Sequence, residues 1–188
     1  MVARPPLRLR IAAMRVEDIS DVHAIERASF PVPWPAYAFR QELETNRLAR
    51  YLVARVGGEA VGYGGIWLMV DEAHITTFAV LPAWRRQGLG ARLLLALLDL
   101  AVELGATVAT LEVRLSNIEA RRLYERFGFM PVGVRPRYYA DNAEDALILT
   151  SEEFRTPSMR ARLERLRAEV EPAGEPSGSS WTPDDDGH

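Results

Sequence analysis

The spacing of apolar and polar positions changes period several times along the chain, and the changes mark out its elements. "LRLRIAA" (residues 7–13) alternates apolar and basic residues, the period of a half-buried strand. Ile19, Val22 and Ile25 then recur at helical spacing, which predicts an amphipathic helix from about Arg15 to Ala28. "FPVPWP" (Phe30–Pro35) ends it, because three prolines fix φ and remove amide donors. A second helix is expected from near Pro35 to Asn46. "YLVARV", Gly57-Gly58 and "AVGYGGIWLMV" read as two strands joined by a two-residue glycine turn. "AHITTFAV" (Ala73–Val80) is a third β-run, rich in β-branched and aromatic residues.

From Leu89 to Leu104 the period lengthens: Leu89, Leu93, Leu97, Leu100 and Leu104 stand three and four apart, and Gly105 supplies a C-terminal cap. "TVATLEVRL" (Thr107–Leu115) reads as a buried strand, "SNIEARRLYERFGF" as a short helix ended by Gly128, and "PVGVR" and "EDALILT" as two closing strands around the loop "PRYYADNA". The order β-α-α-β-β-β-α-β-α-β-β is that of a mixed α/β sheet with helices on its faces. Met159, Leu163, Leu166 and Val170 line one face of a further helix, with Thr156 as cap and Pro157 in first position. That helix either docks on the domain or serves a partner. The organisation expected is an extension over 1–6, one domain over 7–154, the amphipathic helix over 155–171 and a disordered tail over 172–188, where Pro, Gly, Ser and Asp dominate.

Composition narrows the function classes. A chain of 188 residues, 48% hydrophobic and 26% charged, is ordinary for a single globular domain with an extension. Its formal net charge of −3 lacks the basic footprint of a nucleic-acid-binding face. With no cysteine, disulfides, thiolate catalysis and the common structural zinc sites are excluded, and His23, His74 and His188 are too far apart in sequence to suggest a metal cluster. Asp99 and Glu103 interrupt the longest apolar run short of the ~18 residues that span a bilayer, so no membrane partner is expected. The opening "MVARPPLRLR" has no apolar signal core, so the expected compartment is the cytoplasm.

The candidate chemistry begins at "RRQGLG" (Arg85–Gly90), between a strand and a long helix. It is not a P-loop, since no lysine follows the second glycine, and not a dinucleotide fingerprint, since Leu93 occupies the third glycine position. Helix-opening amides have no internal partners and lie at the positive end of the dipole, and glycine lets a diphosphate reach them. A plain glycine turn entering a core helix explains the hexapeptide equally well.

In context the segment resembles the acetyl-CoA loop of the GNAT acyltransferase superfamily, Q/R-x-x-G-x-G/A. The resemblance extends over roughly Leu7 to Thr150 and includes "LEVRLSNIEARRLYERFGF". Within the superfamily the chain is most similar to the RimI group, bacterial enzymes that acetylate the N-terminal alanine of a small-subunit ribosomal protein. The segments that carry this are "GYGGIWLMVDEAHITTFAV", "LEVRLSN", "LYERFGF" and "RYYADNAEDA". The resemblance implies a mostly antiparallel central sheet flanked by helices, with acetyl-CoA held at a splayed strand pair and no metal. Phe78, Ala79 and Val80 would pair with the pantetheine arm. Arg85, Arg86, Gln87, Gly88, Leu89, Gly90 and Ala91 would hold the pyrophosphate, and Asn117 would contact the cofactor.

Acetyl transfer to an amine needs a base for the amine proton and an acid for the leaving thiolate. The resemblance makes Glu112 the base, directly or through a water, and Tyr124 the acid. The residues by themselves allow a strand glutamate on a solvated face or paired with Arg114, and a tyrosine packed beside Leu123 and Phe127. Asn117 and Tyr124, seven residues apart, fall about two helical turns from one another. Phe30, Pro31 and Trp34 in one loop, with Tyr138 and Tyr139 in another, would bracket an incoming protein N-terminus, or else simply cover a core edge. Two other functions stay open at this point. One is acetylation of a small-molecule amine, although only Asp141 and Glu144 would be on hand for a polycation. The other is a non-catalytic acyl-CoA-binding module. Oligomeric state is not readable.

Overall fold

A computed structural model describes residues 8–171 and 179–180. The extension expected over 1–6 lies outside the described residues, and so does the tail expected over 172–188 apart from Ser179–Ser180. In chain order the elements are β1 (Leu9–Ala13), α1 (Ile19–Ser29), α2 (Ala36–Glu44), β2 (Ala49–Val56), β3 (Glu59–Met69), β4 (Glu72–Val80), α3 (Leu89–Glu103), β5 (Val108–Arg114), α4 (Ile118–Arg126), β6 (Phe129–Arg135), β7 (Ala146–Ser151), α5 (Pro157–Val170) and the two-residue β8 (Ser179–Ser180). The first helix starts later than its periodicity suggests because Val16–Asp18 form a separate 3₁₀ turn.

The strands form one sheet in the order β6-β7-β5-β4-β3-β2-β1-β8. All neighbours are antiparallel except β4–β5 and β1–β8. One face is buried by α3, whose Leu93, Leu94 and Leu97 are fully enclosed, together with Tyr124 and Phe127 from α4 and its C-terminal cap, and α5. Gly64 permits that contact, because a Cβ there would stand 2.5 Å from Leu97 Cδ1. The other face is covered by α1 and α2, which close over Tyr51, Val53, Tyr63 and Ala79.

Two departures from the simple pattern shape the site. Thr76 is an extra residue in β4, since Ile75 pairs with Ile66 while Thr77 pairs with Gly65. Such a bulge bends and twists its strand. Pairing of β4 with β5 accordingly covers only Glu72–His74 against Val108–Thr110, and beyond it the strands part. The second departure concerns β5, which the sequence suggests is buried outright. Only Ala109, Leu111 and Val113 are enclosed. Thr110, Glu112 and Arg114 alternate onto the opposite face, and no residue of β5 joins the core cluster under α1 and α2.

The Pro157 helix is capped by Thr156, whose hydroxyl accepts the Met159 amide. Its Met159 and Leu166 are buried, with Leu163 and Val170 packed on the same core, and Arg167 grips Asp99 of α3 with two bonds of 2.8 and 2.9 Å. Of the two readings left open by its amphipathic stripe, docking is the one observed.

Candidate active site

The parting of β4 and β5 leaves each strand with an unpaired edge facing a gap, an arrangement able to receive an extended chain with amides of its own. A cleft of about 380 Å³ lies along β4 beyond its pairing with β5, walled by Phe78, Ala79 and Val80 of β4, Arg85, Arg86, Gly88, Gly90 and Ala91 at the start of α3, and Asn117 at the cap of α4. Ser29 and Phe30 close its other side. The loop over the cleft is built to expose backbone amides. Gly88 has φ +79°, with open space where a side chain would be, and Arg86 has φ +61°. Arg85 is partly committed, its Nε donating to the Val80 carbonyl at 2.9 Å, which braces the loop on the end of β4. Arg86 and Glu119 pair at 3.0 Å across exposed ground at the cleft wall. Asn117 caps α4, its Oδ1 accepting the Ala120 amide at 3.1 Å. Gln87 and Leu89 are set apart from the cleft wall. The first bonds the Ala83 carbonyl and the second turns its side chain into the core.

Glu112 lies on the face of β5 left uncovered by α1 and α2, with a side chain 10% exposed. Its Oε2 is 2.6 Å from His74 Nε2 and its Oε1 is 3.0 Å from Arg135 Nε. The His74 hydrogen bond, with the Arg135 charge, holds its carboxyl below the ordinary carboxylate range. The pairing with Arg114 allowed by the sequence does not occur. Arg114 instead bonds Asp141 at 2.8 Å and Glu144 at 3.2 Å and lies over the Tyr139 ring at 3.8 Å. His74, which the sequence singles out only in excluding a metal cluster, is the partner of Glu112 that sequence reading does not supply. Its signal was a lone histidine in a core strand, and the β4–β5 register now sets it beside Thr110, two residues from Glu112.

Tyr124 is buried, its ring packed edge-on to Phe78 and Phe129 with centroids 6.3 and 5.6 Å away. Burial, with the adjacent Tyr139, pushes its phenol well above the ordinary value, so it stays protonated at neutral pH. Tyr138 and Tyr139 stack edge to face at 5.2 Å, and Arg135 lies over the Tyr138 ring at 5.9 Å. Burial raises the Tyr139 phenol to about 12, and Glu112 acts on both tyrosines. Glu112, Arg135, Tyr138, Tyr139 and Tyr124 thus form one electrostatic neighbourhood at the parting of the strands. On the loop between α1 and α2, Phe30 and Trp34 pack against the second core cluster, Trp34 5.8 Å from Phe39, while Pro31 is exposed.

The sequence profile described as the Acetyltransferase (GNAT) family matches residues 19–129, more than half of the chain. The chain belongs to the GNAT acetyltransferase family. A Bacillus subtilis (strain 168) protein named as a candidate [ribosomal protein bS18]-alanine N-acetyltransferase is 46% identical over 136 residues, 72% of this chain and 90% of that one. The Escherichia coli (strain K12) [ribosomal protein bS18]-alanine N-acetyltransferase is 34% identical over 143 residues, 74% and 94% of the two chains. The crystal structure of the ribosomal-protein-S18-alanine N-acetyltransferase from Escherichia coli superposes with a TM-score of 0.71 at 30% identity, covering 77% of this chain and 93% of that one. This GNAT chain is therefore an acetyl-CoA-dependent N-acetyltransferase of mixed, mostly antiparallel α/β architecture. Its cleft fits that co-substrate, with open amides at one end and free strand edges at the other. Among the described residues no helix is long and apolar enough to cross a membrane.

Proposed function

We propose that the chain acetylates the α-amine of a protein N-terminus, an alanine of a small-subunit ribosomal protein, with Glu112 and His74 taking the amine proton and Tyr124 protonating the thiolate. The observation that carries this is the single neighbourhood of Glu112, His74 and the Tyr138–Tyr139 loop beside the parted strands. The similarity to bS18-alanine N-acetyltransferases supports the choice of acceptor.

In this reading the loops Phe30–Pro35 and Arg135–Ala146 hold the peptide end, and its neutral α-amine attacks the acetyl carbonyl carbon. A C–N bond forms and the C–S bond breaks. The surplus proton on nitrogen passes to the Glu112–His74 pair, and the departing sulfur takes the Tyr124 phenol proton. Acetyl-CoA supplies the activated acyl group. The chain supplies orientation and the two proton positions, each worth about 10²–10⁴-fold in rate.

Acetylation of a polyamine is the weaker reading. It would draw on Asp141 and Glu144, and both already bond Arg114, which leaves the trio one net negative charge. A panel of peptides varying the first residue, run beside spermidine, tests the choice. The proposal expects turnover on Ala-starting peptides; turnover on spermidine alone would reject it.

A further inference from the structure

Glu26, near the end of α1, is the one buried side chain of the Asp, Glu, Lys, Arg and His types among the described residues, at 3% exposure. A carboxylate taken from water is costly unless donors replace the lost hydration. Its donors are neutral and come from two separate elements. Oε1 accepts the backbone amide of Trp34 at 2.9 Å, and Oε2 accepts the Tyr63 hydroxyl. Tyr63 spends its only proton on Glu26, so the Thr77 hydroxyl, 2.9 Å away, donates to Tyr63 in turn. Burial and the neighbouring Glu26 push the Tyr63 phenol far above its ordinary value, which keeps it a donor.

The ends of this chain of bonds are what matter. Trp34 belongs to the loop between α1 and α2, eight residues from Glu26, and its ring rests on Phe39, itself 5.7 Å from Tyr63. Thr77 directly follows the bulge residue Thr76 and precedes Phe78–Val80, which wall the cleft. One carboxylate therefore joins the proline-rich loop to the strand beside which the thioester would lie. In a loop with three prolines and no internal ladder, this polar tie adds direction to the packing of Phe30 and Trp34 on the core. No apolar residue of similar volume could hold both an amide and a phenol, so the burial is explained by what it positions.

We propose that Glu26 is a positioning residue that fixes the Phe30–Pro35 loop against the β4 bulge and thereby sets affinity for the acceptor amine without contacting it. This rests on the reading of that loop as one wall of the acceptor site. Bonds to a charged group are worth enough to shift a binding constant about tenfold when one is lost. Glu26→Gln keeps the shape but turns an amide N–H₂ toward one of the two donors, and Tyr63→Phe removes the link to β4 alone.

The test combines hydrogen exchange of wild type, Glu26→Gln and Tyr63→Phe with initial rates on an Ala-starting peptide and calorimetric titration with acetyl-CoA. Amides of residues 30–38 should exchange about tenfold faster in Glu26→Gln while those of α3 and β5 are unchanged. Acceptor KM should rise about tenfold, with kcat and acetyl-CoA affinity each within about threefold of wild type. Tyr63→Phe should move the same quantities in the same direction by less. Unchanged loop exchange in both variants would overturn the proposal whatever the activity. So would faster exchange with an unchanged acceptor KM, or with acetyl-CoA affinity weakened as much as the acceptor's. A wild type that acetylates no peptide N-terminus contradicts the proposed function instead, and the exchange data then decide the loop tie by themselves.

Discussion

His74 and Glu112, thirty-eight residues apart in the chain, meet at 2.6 Å where strands β4 and β5 begin to part. The bond runs from the last paired rung, His74 against Thr110, to a residue two places beyond it, so it depends on a parallel register that only the folded sheet supplies. In the proposed mechanism the two groups share one proton path, so their removals should not add. Glu112→Gln is expected to lower kcat by about 10²–10⁴-fold, and His74→Ala, at least tenfold down alone, to add little on top of it. Steady-state rates on an Ala-starting peptide for both singles and the double check this. Fully multiplicative losses would separate the two roles.

Tyr124 is buried among Phe78 and Phe129 with no hydrogen bond to its hydroxyl among the described residues. Tyr124→Phe should therefore leave thermal stability within about 0.5 kcal/mol of wild type, as for a change away from any bonded polar group. Its kcat should fall about 10²-fold with acetyl-CoA affinity unchanged. A variant as active as wild type would assign the tyrosine to packing.

Gly88 and Gly90 separate backbone strain from ligand approach. Gly88 sits at φ +79° with nothing near its missing Cβ, so Gly88→Ala should cost about 1 kcal/mol through left-handed strain alone. At Gly90 a Cβ would meet only ordinary contacts, 3.6 Å from Leu123 Cδ2 and 4.0 Å from Val80 Cγ2. Gly90→Ala should therefore melt like wild type while raising the acetyl-CoA KM several-fold, because the methyl stands at the cleft wall. Equal melting losses in both variants would contradict this division.

Acid sensitivity should be visible in the loop between β6 and β7. Bonds from Ser116, whose amide lies 2.8 Å from Oε1, lower Glu144 to about 2, with Arg114 and Asn142 contributing. A carboxyl depressed on folding stabilises above its unfolded value and loses that contribution as pH falls through the folded one. Wild type should melt above Glu144→Gln at pH 7, and the difference should shrink from about pH 4.5 downward until the two nearly coincide near pH 2. A gap independent of pH would show that the loop bonds do not need the charge.

The order of elements was legible because each has its own period, from the leucines of α3 to the alternation of β1. The loop beside the cleft read equally as a plain glycine turn by itself, and its resemblance to the GNAT acetyl-CoA loop is what pointed to a cofactor. What escaped was decided by register and coverage. Glu112 reads as a carboxylate in an apolar strand, and neither its partner His74 nor Arg135 is near it in sequence. Arg114, two residues away, is drawn off by Asp141 and Glu144 in a loop whose return path the sequence does not state. Trp34 reads as a peptide contact, yet its amide is anchored by Glu26 and its ring by Phe39. The stripe on α5 allowed a partner or a docking face, and Asp99, sixty-eight residues from Arg167, decided for docking.

The most direct test of the proposed acceptor is the position of the transferred acetyl group. Two copies of one peptide, beginning with alanine and carrying an internal lysine, are incubated with the protein and acetyl-CoA, one with a free α-amine and one with that amine blocked. Tandem mass spectrometry should find the acetyl group on the α-nitrogen of the first peptide and none on the second. Acetylation of the lysine in both, or of neither peptide while spermidine is modified, would contradict N-terminal transfer.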